Sequence, residues 1–270
     1  VHVNLEVRQD LDQAWVLFQQ AEALGVREVD VIRTGARLAG ASGNEAEQVR
    51  LLTALANMGE SESEGDTRCD ALFRLAEIHM ASEDTFEEGL AQFIAAFEES
   101  GNAERAGRIL RRAAGKTSMN EQLLAVFEKV ARRSEDRSML LEFYERKAET
   151  AMPHPADLKD GAQLALELGQ GDKAEALMKR VVDAAENFPE EQEAVGWAML
   201  NLSRRRFEAG DAAAAVKWLM DAAESADEAS VFELGIQIAD WARNESDDLM
   251  LAARILERLL QIRPAAQEAW

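Results

Sequence analysis

Gly115-Lys116-Thr117 is the stretch that most invites a chemical reading, because those three residues in that order close a phosphate-binding loop. Such a loop needs a further glycine five residues before Gly115, where Leu110 stands. It also needs a β-strand ahead of it, whereas the residues before Gly115 are patterned as an amphipathic helix. A helix C-terminus presents carbonyl oxygens, which repel phosphate. The triplet is therefore read as a helix stop and a turn. The histidines His2, His79 and His154 are far apart in the chain. Glu77 and His79 are two residues apart and so point from different sides of a helix, and His154 sits between two prolines. Pairs such as Glu87/Glu88, Glu98/Glu99 and Asp247/Asp248 are what 51 acidic residues produce on solvated helix faces and ends. No calcium loop of the D-x-D-x-D-G type and no G-x-S-x-G nucleophile elbow occurs. Cys69 is the only cysteine, which rules out an intrachain disulfide and a thiolate zinc site. The expectation is a protein that is not an enzyme, with no catalytic residue, no metal site and no cofactor.

Charge says more than these groups do. The 270 residues carry a formal net charge of −21, which excludes non-specific binding of nucleic acid by the molecule as a whole. That charge is uneven: −13 over residues 1–100, +3 over 101–150 and −11 over 151–270. The basic middle holds Arg105, Arg108, Arg111 and Arg112, followed by Arg132 and Arg133. These read either as a patch for an acidic peptide or phosphate, or as partners of Glu104, Glu128 and neighbouring acids, and the second reading is preferred. No stretch is long and apolar enough to cross a membrane, so no membrane insertion is expected. A lone cysteine fits a reducing compartment, and the expected location is cytoplasmic. The 23 arginines against 7 lysines and the many alanines suggest a bacterial source. The chain opens on Val1 and stops at Trp270, just after a new helix would begin at Pro264, which reads as a fragment of a longer protein.

Positioning of any site falls to helices. Trp15, Phe18, Ala21 and Leu24 recur at steps of three, as do Leu123 and Val126, with Val130 four further on and Leu164 and Leu168 four apart. Only 4 prolines and 1 tyrosine are present, which argues against an all-β fold. Helix stops fall every fifteen to twenty residues at Gly25, Gly40 to Gly43, Gly59, Gly101, Gly115, Ser134 to Asp136, Pro153 to Pro155, Gly169 to Gly171, Pro189, Gly210, Glu245 to Asp248 and Pro264. Polar N-cap candidates follow, among them Asn44, Asn102, Asp172 and Asp211. About fourteen helical segments group into seven pairs starting near residues 8, 44, 83, 119, 155, 190 and 229. A period of 35–39 residues filled by two helices marks an α-solenoid. The run Glu60 to Asp66 reads as a solvated loop.

Within three pairs a spacing recurs. Phe93, Gly101, Ala106, Leu110 and Ala113 form one instance, and Leu202, Gly210, Ala215, Leu219 and Ala222 a second. Leu234 and Gly235, then Ala252, Leu256, Leu259 and Pro264 form a third. Gly171 and Ala176 fit a fourth, where Arg180 occupies an apolar position and Val181 takes over after a one-residue slip. The pattern resembles the tetratricopeptide repeat family, over nearly the whole chain. HEAT-like or other helical-hairpin arrays remain open for the pairs that match loosely. The implied fold is all-α: a right-handed α–α superhelix, a tetratricopeptide-like solenoid of about seven helix pairs, forming a single array over residues 1–270.

The resemblance further implies a concave surface lined by the first helix of each pair. Mapping the repeats places Trp197, Leu200, Asn201, Arg204 and Phe207 there, with Phe232 and Ile236 from the next pair and Glu88, Ala91, Ala95 and Glu98 from the third. An aromatic anchor beside Arg204 suits a peptide. Trp197 could equally be core, since a slip of one or two residues turns it inward. Asn201 and Arg204 match part of a carboxylate-gripping set known in the family, but the partner lysines are missing, so that activity is not carried over. The expected function is a non-catalytic protein–protein interaction scaffold whose partner is a protein or peptide, with basic segments suited to its acidic faces. The alternatives are a structural spacer or self-assembly segment of a large multidomain protein, or the regulatory arm of an enzyme.

Overall fold

The structure is a computed structural model that describes residues 11–58, 65–114, 121–223, 225–244 and 248–262. Among the described residues there are fourteen α-helices, two short 3-10 turns and no strand. Their contacts divide the chain into two compact units, Val1–Asp136 and Arg137–Trp270. The turn at Gly115 to Thr117, most of the Glu60 to Asp66 run, His2 and Pro264 lie outside the described residues.

The first unit holds α1 (Leu11–Ala23), α2 (Val29–Ala41), α3 (Glu45–Ala56), α4 (Gly65–His79), α5 (Phe86–Ser100), α6 (Ala103–Ala114) and α7 (Glu121–Ser134). Each helix packs on its neighbours in sequence, and α4 also touches α6. The end of the Glu60 to Asp66 run is helical rather than loop, because α4 already begins at Gly65. Pairing here differs from the sequence-based grouping. α5 packs far more extensively on α4 than on α6, and α2 is closely packed on α3. The reason lies in α5 itself: Gly89 and Phe93 stand one turn apart on the side that meets α4. A Cβ on Gly89 would come within 2.6 Å of the Met80 backbone nitrogen, and Phe93 meets Phe73 edge-on at 5.8 Å. The repeat residues Phe93, Ala106, Leu110 and Ala113 are nonetheless all buried. Leu24, read as part of an apolar stripe, is 82% exposed because α1 ends at Ala23.

The second unit holds α8 (Arg137–Ala148), α9 (Pro155–Glu167), α10 (Gly171–Ala184), α11 (Gln192–Glu208), α12 (Ala212–Ala222), α13 (Glu228–Asn244) and α14 (Leu249–Ile262). Here the closest pairs are α9/α10, α11/α12 and α13/α14, as the spacing predicts. α9 also touches α11, α11 touches α13 and α8 touches α10, so α9, α11 and α13 form a continuous layer within this unit. Leu202, Ala215, Leu219, Ala222 and Leu234 are buried in it. The slip at Arg180 is seen directly. Val181 is fully buried, while the Arg180 guanidinium donates from Nε and Nη2 to the Ala148 carbonyl at 3.1 and 2.9 Å, capping the end of α8.

Local chemistry explains where the helices start and stop. Asn44, Asn102 and Asp211 accept hydrogen bonds from the backbone N–H three residues on, satisfying a donor that the helix leaves free. Asp172 is not a cap: α10 begins at Gly171, so this carboxylate lies in its first turn, where the helix dipole favours it. Gly101 and Gly210 end α5 and α11 with φ of 63° and 81°, values that side chains resist. Glu135 adopts φ 54° at the end of α7, the one non-glycine residue in that region among those described.

A close backbone approach at Gly196 and the left-handed Glu135 both have measurable consequences. A Cβ at Gly196 would lie 2.4 Å from the Ser225 carbonyl oxygen and 2.5 Å from the Ala226 backbone, so Gly196→Ala should cost about 2 kcal/mol in urea unfolding despite its better helix propensity. Glu135→Gly should gain about 1 kcal/mol in the same measurement, by relieving the left-handed backbone.

Candidate partner-binding face

α11 is long, and its residues at steps of three and four fall on one side of it. Trp197, Leu200, Asn201, Arg204 and Phe207 form that stripe, and Phe232 and Ile236 stand one turn apart on α13. The structure brings Leu200, Phe207, Phe232 and Ile236 against one core cluster made by Ala215, Leu219, Val231, Leu234, Ile238, Ala239, Ile255 and Leu259. All four are half-buried, holding α11 and α13 together rather than standing free. Trp197 is half-buried and outside that cluster. Asn201 spends part of its amide locally: Nδ2 donates to the Trp197 carbonyl at 2.8 Å.

Arg204 is exposed and has no ion-pair partner among the described residues. Its neighbours in the Arg204–Arg206 run are held elsewhere. Arg206 pairs with Glu175 of α10, and Arg205 approaches the same carboxylate at 3.8 Å. Lys179 also donates to Glu175 at 2.8 Å. The Lys179 hydrogen bond, with the positive charges of Lys179, Arg206 and Arg205, holds the Glu175 carboxyl below the usual carboxylate range against the opposing effect of burial. One carboxylate thus ties α11 to α10 and leaves Arg204 as the cation on the stripe.

Two residues of this region were not singled out from the sequence. Trp241 of α13 meets Phe207 edge-on at 5.6 Å, closing the end of the stripe. Extending the Phe232–Ile236 spacing by one more turn and a residue reaches it. Ser203 is fully buried, and its hydroxyl donates to the Ala215 carbonyl at 2.7 Å, crossing from α11 to α12. A serine amid apolar helix residues gives no sequence signal of such a bond. On α9, Lys159 reaches Glu193 of α11 at 2.9 Å. In the first unit Glu88, Ala91, Ala95 and Glu98 are all exposed on α5.

The other candidate groups are engaged in structure. His79 is buried, with Nδ1 2.9 Å from the Gln92 amide oxygen. His154 packs edge-on against Phe188. Cys69 is buried, and burial together with the nearby Glu99 pushes its thiol up, away from the reactive thiolate. Glu98 and Glu99 bond Lys129 and Arg68, and Asp248 accepts from the Leu251 N–H at 2.9 Å as the cap of α14. Among the described residues no group of three His, Cys, Asp or Glu is placed to hold a metal ion. No described helix is long and apolar enough to cross a membrane. In the basic segment Arg105 pairs with Asp70, Arg111 with Asp136, Arg112 with Glu77 and Arg132 with Glu128. Arg133 lies over the Phe97 ring. Arg108 is exposed and unpaired among the described residues.

The Glu175 junction makes stability depend on pH. Its carboxyl titrates lower in the folded than in the unfolded chain, so its contribution is present above the unfolded pKa and is lost as pH falls through the folded one. Glu175→Gln should therefore destabilise the protein near neutral pH. Urea unfolding should show the gap to the wild type closing as pH drops below about 4.3.

No family model matches the chain, and no curated protein matches it. Solved structures with a similar course include BtubC from P. vanneervenii, at 14% identity and a TM-score of 0.34, covering 93% of this chain and 92% of that one. The C-terminal part of a TPR repeat-containing protein from Cytophaga hutchinsonii is 11% identical with a TM-score of 0.38, covering 98% and 95%. A circular tandem repeat protein with novel repeat topology is 15% identical with a TM-score of 0.32, covering 97% and 78%. The helices and contacts described above, rather than these overlaps, make the fold an all-α array of helical hairpins.

Proposed function

We propose that the chain is a non-catalytic scaffold that binds a partner protein or peptide along the α9–α11–α13 layer, on what the repeat architecture makes a concave face. The observation that carries this is the exposed, unpaired Arg204 on the same stripe as the half-exposed Trp197. Two helical turns separate them, roughly 10 Å along the axis. Both are presented by a helix whose other sides are locked into the core and onto Glu175, so little order has to be gained on binding. An aromatic anchor and a guanidinium at that distance suit an extended segment with an apolar residue and a carboxylate. The acidic surroundings favour basic flanks on the partner. Treating residues 1–270 as one repeat array belongs to the same proposal. So does the role of Leu200, Asn201, Phe207, Phe232 and Ile236 in shaping the face.

The test is co-purification with the intact protein, comparing the wild type with Trp197→Ala and Arg204→Glu. Loss of the same bound protein in both variants is the expected result, with affinity reduced at least tenfold and falling further as salt rises. Retention in both variants, with folding intact by circular dichroism, moves the site elsewhere.

A further inference from the structure

The first unit contains a pocket of about 490 Å³ formed by α2, α3, α4 and α6. Its apolar floor is made by Ala36, Leu52, Leu55 and Ala71, all buried. Four arginines line it, Arg33 and Arg37 from α2, Arg74 from α4 and Arg105 from α6, against one acid, Asp70. That is a local excess of positive charge, and three of the four arginines come from residues 1–100, which carry a net −13.

The internal ion pairs do not use up these cations. Arg33 bonds the exposed Asp30 at 2.8 Å and the Thr67 hydroxyl, and Arg74 bonds Glu77 at 2.8 Å. Arg105 bonds Asp70 and lies over the Phe73 ring, 4.8 Å from its centroid. Solvent-exposed pairs of this kind are worth at most about 1 kcal/mol, and a guanidinium has five N–H donors to share. Glu77 serves Arg112 as well as Arg74, so the acid is divided between two cations. Arg37 is exposed and has no hydrogen bond or ion pair among the described residues.

We infer that this pocket binds an acidic peptide segment of a partner protein, its carboxylates bridged by Arg33, Arg37, Arg74 and Arg105 over the apolar floor. The spread of the cations selects this occupant. Arg33 and Arg37 are one turn apart, about 6 Å along α2. Arg74 and Arg105 stand on other helices, and packed helix axes lie about 8–10 Å apart. Such an array matches several single charges along a chain better than one compact phosphate. Arginine's planar fork grips each carboxylate by two hydrogen bonds, and the alanine and leucine floor accepts the apolar parts of the segment. All of these residues belong to the first unit, whereas the proposed Trp197–Arg204 face belongs to the second, so the two sites succeed or fail separately.

Fluorescence anisotropy of a labelled polyglutamate peptide on the 270-residue protein tests the inference. The peptide should bind at low salt, weaken as salt rises, and lose about tenfold or more in affinity with Arg37→Glu. Lys217→Glu, an exposed charge reversal on α12, makes the same change in net charge and should leave the affinity unchanged. Arg37→Gln should give an intermediate loss with unaltered circular dichroism. No binding at low salt, or an equal loss with Lys217→Glu, overturns the inference. Calorimetric binding of inorganic phosphate without binding of the peptide also overturns it, and makes the pocket a small-anion site.

Discussion

Two helices come closest where one of them offers a hydrogen or a methyl in place of a larger side chain. That constraint governs this protein more than any polar interaction does. At Gly35 an added Cβ would sit 2.3 Å from the Phe18 ring, at Gly161 2.5 Å from the Tyr144 Cβ, and at Gly235 2.7 Å from Leu259. Gly89 against Met80 and Gly196 against the Ser225–Ala226 turn add two more such contacts. Fully buried alanines such as Ala106, Ala215 and Ala222 do the same from the facing helix. Close approach lets phenylalanines and leucines on either side interlock, and the density of those contacts supplies the stability. Polar groups then tidy the ends: Arg180 caps α8 from α10, and Arg68 reaches the Ala56 carbonyl at the end of α3 at 3.1 Å.

Much of this was legible beforehand. Apolar residues at steps of three and four marked the helices, and glycine stops such as Gly101 and Gly210 marked their ends, because φ above zero is a requirement glycine meets almost alone. The one-residue slip at Arg180 was legible too, since only one of two adjacent side chains can point inward. What could not be read was which neighbour each helix of the first unit prefers. Spacing along the chain gives the faces of α5, but Gly89 and Phe93 decide between α4 and α6 only once three-dimensional distances are known. Asp172 failed as a cap for a similar reason: a helix that starts one residue earlier turns a cap into a first-turn carboxylate.

The surface follows a different logic from the core. An acidic chain keeps its arginines mostly paired, and a residue pattern alone does not say which carboxylate takes which guanidinium. Glu175 shows why this matters. By engaging Lys179, Arg205 and Arg206 it fixes three cations in place and leaves Arg204 unclaimed. Repeat architecture supplies a rigid frame, and the distribution of leftover charge on that frame decides where a partner could find purchase.

Every helix in each unit touches mainly the helix before it and the helix after it, or the next but one. Contacts that span so little of the chain have a kinetic meaning. Loop closure costs little, so each hairpin can assemble almost as soon as its residues are available, and ordering can spread along the row from any starting place. The same locality lets a terminal hairpin detach while its neighbours stay intact, so such a protein loosens by degrees from its margins.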